Sequence, residues 1–229
     1  MSAALQALEL GVDEVDHLLS TDPTPKGGLS PAPQATRAVI RAAVVILSSH
    51  FERYVRAVTE EAVTVINQQG VDAGRLTEAL RLQHSRIAVD QLIERVWEQR
   101  ATRLSEFIVS EGWLWSDAQR ADLDARRLLT WMKSPMPLQL LRVFGLWGID
   151  DIFARITRKS HTRGRLFYRL TELVEKRNNI AHGEFRVDAT RSDIEAYQDA
   201  VRVFCRRADA ALARALKQRL GIMDAWKNP

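Results

Sequence analysis

The sequence predicts an all-α fold, a helical bundle with a long central helix and an N-terminal helical arm. Two observations carry this. Apolar residues recur at spacings of three and four over most of the chain, and helix-interrupting residues are scarce, with 11 Gly and 7 Pro in 229 residues. No segment reads as a confident strand, and no internal repeat is visible.

The elements follow in order. Leu5, Leu8, Val12, Val15 and Leu19 form the stripe of an amphipathic helix. Residues 20–34 hold four of the seven prolines and two adjacent glycines, which predicts a linker. Residues 1–34 are thus an arm plus linker, docking on its own domain or on a second chain; residues 35–220 are the helical domain and 221–229 a tail. A helix is expected over about 35–68, striped by Ile40, Val44, Leu47, Phe51, Tyr54, Val58, Ala62 and Val65. Between Ala42 and Leu47 it is apolar all round, so it should have neighbours on several sides. From Asp72 to Ser110 the pattern stays helical, with Leu76, Leu80, Ile87, Leu92, Val96 and Leu104 expected to point inward. Asp72 and Ser116 are candidate N-caps, Ser116 with Gln119 as a capping box. Short helices are expected over 138–144 and from Asp150. Longer ones cover 163–181 and 193–220, the last opened by a Ser192–Glu195 capping box.

Composition removes several function classes. Hydrophobic residues make up 46% and charged residues 27%, ordinary for a globular chain and unlike a disordered or collagenous one. No apolar run reaches the roughly 20 residues of a membrane span, and the N-terminus does not resemble a secretory signal. Cys205 stands alone, which predicts a cytoplasmic location without disulfides and fits a core position in the last helix. Net charge is +4, with 27 Arg and only 6 Lys. The five histidines show no metal-ligand spacing, so neither a metal nor a cofactor is expected.

The informative stretch is Leu173 to Gly183, LVEKRNNIAHG. Leu166, Leu170 and Leu173 define an inward stripe, and the next position in phase is Arg177. An inward guanidinium needs an anion or a carbonyl. Gly183 is a natural helix terminator in the left-handed conformation, which puts His182 in the last turn or just beyond. A cation beside an imidazole suits a phosphodiester, the guanidinium holding phosphate while the imidazole moves a proton. Spacing alone also leaves open that Arg177 pairs with a carboxylate such as Glu52 and that His182 merely caps the helix.

Arg177-Asn178-Asn179-Ile180-Ala181-His182 resembles the R-x4–6-H signature of the HEPN superfamily, with Asn178 as the polar residue that follows the Arg. Two further runs resemble its RiboL-PSP type: Arg37 to Tyr54, RAVIRAAVVILSSHFERY, and Pro137 to Ile152, PLQLLRVFGLWGIDDI. Arg53 departs from the smaller residue expected between Glu52 and Tyr54. The resemblance covers roughly 35–220 and leaves the arm and linker outside. It implies an all-α domain that dimerises, setting two Arg/His motifs across one cleft. It also implies metal-independent RNA cleavage by the 2′-hydroxyl, in a toxin, defence or stress effector held by an antitoxin or other regulatory protein. The alternative is a non-catalytic module that binds RNA, nucleotide or a protein partner.

On this reading His182 is general base or acid, Arg177 stabilises the phosphorane-like transition state, and Asn178 contacts a phosphate oxygen or orients His182. Glu52 either orients Arg177 or pairs with Arg56 one turn on. Residues 155–177 carry a net charge of +6. Arg158, Lys159, Arg163, Arg165 and Arg169 in that stretch are the candidate RNA-backbone contacts. Trp113 and Trp115 fit packing better than base stacking, and His50 either approaches the site or packs beside Tyr54.

Overall fold

The protein is described by a computed structural model covering residues 1–21, 34–93, 96–117, 119–184 and 189–226. Most of the expected linker, residues 22–33, lies outside these. Among the described residues ten helices follow in order: α1 Ala3–Ser20, α2 Gln34–Gln68, α3 Glu78–His84, α4 Arg86–Ile93, α5 Trp97–Glu111, α6 Ala125–Leu128, α7 Pro137–Gly145, α8 Ile152–Ile156, α9 Ser160–Ala181 and α10 Arg191–Leu220. Short 3₁₀ turns occupy Ala73–Arg75 and Gly112–Trp115. Among the described residues there is no strand, only an isolated bridge between Asp72 and Arg120. No described helix is long and apolar enough to cross a membrane.

The apolar girth of α2 explains the layout. Ala43, Val44, Leu47, Phe51 and Val55 are all fully buried, and α1, α6, α9 and α10 pack around the helix. From α10, Phe204 meets Phe51 of α2 at 5.8 Å, Phe144 of α7 at 6.0 Å and Phe153 of α8 at 5.4 Å between ring centroids. Tyr54 is buried beside them and donates its hydroxyl to the Cys205 carbonyl at 3.0 Å. Cys205 itself is fully buried, as its place on the α10 stripe predicts.

The first helix docks on its own chain. Its predicted stripe, Leu5 to Leu19, is buried against α2 and α10. The α1 N-terminus is capped by Ser2, and Glu61 of α2 accepts from the Ala3 N–H at 2.9 Å. On the outer side, Arg202 reaches Asp13 at 3.0 Å and Arg206 reaches Glu9 at 2.6 Å. Past α10, Gly221 adopts φ +76 and the chain folds back, burying Ile222 and Ala225.

Three sequence expectations are corrected. The capping box of α10 is Thr190 with Asp193, not Ser192 with Glu195, because the helix starts two residues earlier. Ser116 ends a 3₁₀ turn and starts no helix; further on, the Ala121 N–H donates to the Val71 carbonyl at 2.7 Å, beside the Asp72–Arg120 bridge. Within 72–110, Leu76 and Leu80 are buried, but Ile87, Val96 and Leu104 are 52%, 61% and 47% exposed. The spacing there makes genuine helices, α4 and α5, whose apolar faces find no counterpart within the described chain.

A buried polar group ties the base of this α4–α5 hairpin to the bundle. His84 and Glu111 are each 2% exposed. The Asp124 N–H donates to His84 Nε2 at 3.0 Å, while His84 Nδ1 lies 3.3 Å from Arg127 Nη1 and 3.6 Å from Glu111. Glu111 also accepts from Arg127 at 2.9 Å and from the Ser85 hydroxyl at 3.2 Å. Trp115 donates to Ser85, and Trp113 meets the His84 ring edge-on, so both tryptophans have structural roles.

Two outcomes follow from this packing. Leu8→Ala should lower unfolding free energy by about 2–5 kcal/mol in denaturant titration, because α1 is part of the core. Burial, and then the Arg127 guanidinium, hold the His84 imidazole below its ordinary value. The depressed value makes its stabilising contribution complete above pH ~6.5 and lost as pH falls through the folded-state value. Thermal melts from pH 7.5 downward should therefore show a decline that His84→Gln flattens.

Candidate active site

The candidate residues sit on the last turns of α9. Leu166, Leu170, Leu173 and Val174 bury one side of that helix against the bundle. Arg177 follows in phase and is half-buried, and its Nη1 donates to the Asn178 Oδ1 at 3.2 Å. Asn178 thus holds the neighbouring guanidinium through its own side-chain oxygen.

The helix ends as Gly183 dictates. With φ +85 at Gly183, its N–H returns to the Ile180 carbonyl at 3.1 Å and the Glu184 N–H to the Asn179 carbonyl at 3.0 Å. This paired return is the Schellman closure. His182 is the C-cap, with its N–H on the Asn178 carbonyl at 2.9 Å and its side chain exposed to solvent. It stands about 7.5 Å along the helix axis from Arg177. An exposed imidazole beyond a half-buried guanidinium can meet a phosphodiester from outside.

Arg41 of α2 is a part of this turn that the sequence did not single out. Its Nη1 donates to the Glu184 carbonyl at 2.6 Å and braces the segment carrying His182 against the long helix. Its acceptor is a backbone carbonyl 143 residues away, a pairing no spacing rule detects. Glu52 takes Arg56, with Nη2 to Oε1 at 2.9 Å, and Arg56 also donates to the Met132 carbonyl at 2.7 Å. Of the two roles open to Glu52, the contact with Arg56 is the one formed. His50 turns toward α1, 3.1 Å from Glu14 and packed on Gly11.

The basic stretch is not gathered around His182. Arg158, Lys159 and Arg165 are exposed at the N-terminal end of α9, roughly 25 Å or more along the helix from the His182 turn. Arg163 is half-buried near them. Arg169 pairs with Glu172 at 2.9 Å and lies over the Tyr168 ring, while Lys176 approaches Glu172 from the other side at 3.8 Å. Closeness in sequence here becomes separation along one rigid helix.

Gly183→Ala isolates the role of the turn. Among the described residues, none beyond its chain neighbours has an atom within 4 Å of the new Cβ, so the expected cost is that of the left-handed backbone. Chemical denaturation should give a loss of about 1–2 kcal/mol.

A model of the RiboL-PSP-HEPN family matches residues 12–214, beginning within α1 and ending within α10. It therefore takes in the second half of a helix that the motif resemblance had left outside. No curated protein and no solved structure gives a significant match. The matched span holds the long helix, the aromatic hub and the Arg177–His182 turn, and over that span the chain belongs to the RiboL-PSP-HEPN family.

Proposed function

We propose that this chain is a metal-independent endoribonuclease, acting as a homodimer with two Arg177/His182 motifs across one cleft. The observation that carries the reading is the end of α9, where a half-buried Arg177 held by Asn178 precedes an exposed His182 on a capped turn.

RNA brings its own nucleophile. The 2′-hydroxyl oxygen forms a bond to the adjacent phosphorus as the bond from phosphorus to the 5′-oxygen breaks, leaving a 2′,3′-cyclic phosphate and a 5′-hydroxyl. One proton leaves the 2′-hydroxyl and one reaches the departing 5′-oxygen. The His182 imidazole suits either transfer, because its ring can both accept and donate a proton. Arg177 neutralises the charge that grows on the non-bridging phosphate oxygens. Asn178, by occupying one edge of the guanidinium, limits which face it offers. Arg158, Lys159 and Arg165 then bind RNA further along its backbone. An RNase of this kind harms its own cell unless restrained, which fits a toxin, defence or stress effector with a regulatory protein.

The second reading is an RNA-binding module without turnover. It is favoured by the distance between those exposed cations and His182, since RNA can lie on the former without reaching the latter.

Incubating the purified protein with RNA in EDTA separates the two. Cleavage to 2′,3′-cyclic phosphate ends is expected, with His182→Ala slowing it by about 10²–10⁴-fold while RNA binding persists. Arg177→Lys should not restore the rate, because an ammonium does not reproduce the guanidinium fork. Salt-sensitive binding without products, or cleavage that survives His182→Ala, overturns the catalytic reading.

A further inference from the structure

Tyr168, Glu175 and His182 follow one another at intervals of two helical turns, so they stand on one face of α9 within a spread of about 40°. Glu175 and His182 are exposed, and Tyr168 is 59% exposed. Gly164, Thr171 and Asn178 complete the same face. Among the described residues no neighbouring element comes within 4 Å of a Cβ placed at Gly164, so the face is open well beyond the motif.

The charges along α9 sort by side. Arg169 and Lys176 lie off this face and are both engaged by Glu172, at 2.9 and 3.8 Å. Glu172 and Glu175 are the two carboxylates of the otherwise basic stretch 155–177. Glu175 has no ion-pair or hydrogen-bond partner among the described residues. From Gly164 to Asn178 the face carries no cation, so it is not built to track phosphates. It offers instead an aromatic ring, a carboxylate, a hydroxyl and an amide. Those groups meet nucleobases, by stacking on their faces and hydrogen-bonding their edges, and unpaired bases alone present both. The cations stand at the two ends, Arg165 toward the start of α9 and Arg177 before His182.

The carboxylate selects among the bases. It is an acceptor only, with two oxygens side by side. Guanine presents two adjacent donors on its Watson–Crick edge, N1–H and an N2–H. Uracil sets its single N–H between two carbonyls, and adenine and cytosine set their amino groups beside an acceptor nitrogen. Each of these three turns a lone pair toward the second carboxylate oxygen.

We infer that this face of α9 reads the bases of single-stranded RNA, Tyr168 stacking on one base and Glu175 accepting both donors of a guanine. Glu175 stands roughly 10 Å along the axis from His182, too far to touch the imidazole, so its role is in specificity and not in proton transfer. A short strand along the face joins the cations at the start of α9 to the His182 turn, which their separation had left as two places. The inference rests on the reading that RNA is the ligand, and it holds with or without turnover.

Fluorescence anisotropy on the full chain carrying His182→Ala, which removes the proposed proton-transfer group, provides the test. The probes are a short labelled oligouridine and the same strand with one central guanosine. The guanosine strand should bind about tenfold tighter, the discrimination of one bidentate base contact. Adding Glu175→Gln, which keeps the size of the side chain, should make the two strands bind alike. Tyr168→Ala should weaken both by about tenfold, one lost stacking contact, and leave their ratio unchanged. Circular dichroism should find the variants equally helical, because Tyr168 and Glu175 are exposed. Equal affinity for the two strands, a preference that survives Glu175→Gln, or binding untouched by Tyr168→Ala overturns the inference. Cleavage by the wild type is assayed separately. Cleavage with no guanine preference sinks this inference alone, whereas guanine-selective binding without cleavage sinks the nuclease reading alone.

Discussion

Phe204 is the contact on which the arrangement depends. From α10 it touches Phe51, Phe144 and Phe153, so one ring fixes three other helices at once. The neighbouring turn buries Cys205 and receives the Tyr54 hydroxyl, which adds a directional bond to a non-directional core. Such cores are dense enough that a displaced ring shifts its neighbours. With α2 and α10 set, the leucine side of α9 has one place to go.

The position of α9 decides the geometry of its end. Leu170 and Leu173 are fully buried, so the phase of the helix is fixed, and Arg177 must emerge at the boundary between core and water. There it is half-buried and held by Asn178, and the left-handed Gly183 turns the chain immediately beyond His182. Arg41 then secures the turn from α2. The helix phase and its closure are local and the Arg41 contact is tertiary; together they present a fixed cation and an exposed imidazole at one corner of the bundle.

The hairpin follows a different logic. Elsewhere the apolar faces meet one another, whereas α4 and α5 keep theirs open and are attached through buried polar groups at the base. A buried carboxylate shared by Arg127 and Ser85 is costly unless every partner is in place. That requirement holds the projection in one orientation relative to the bundle.

The long helices and the stripes of α1, α2, α9 and α10 were legible in the sequence, because period and phase are local properties of the chain, whereas the single helical pattern over 72–110 divides into a 3₁₀ turn and α3 to α5, and α6 carried no signal. The end of α9 was also legible, since a glycine after an in-phase helix leaves few ways to close it. Ile87, Val96 and Leu104 were misread for the same reason: periodicity reports that a helix has an apolar face, not what covers it. Glu52 illustrates the companion limit, with a partner at i+4 and another across the bundle both compatible with its spacing. The tertiary structure chose Arg56, sent His50 to α1 and set the exposed cations at the far end of α9 from His182. It also brought Arg41 to a carbonyl 143 residues away. Local sequence determined which segments are helical and which side of each is apolar, because those follow from backbone sterics and side-chain period. Which faces meet, and which one is left open, was decided only when all the helices competed for the same core.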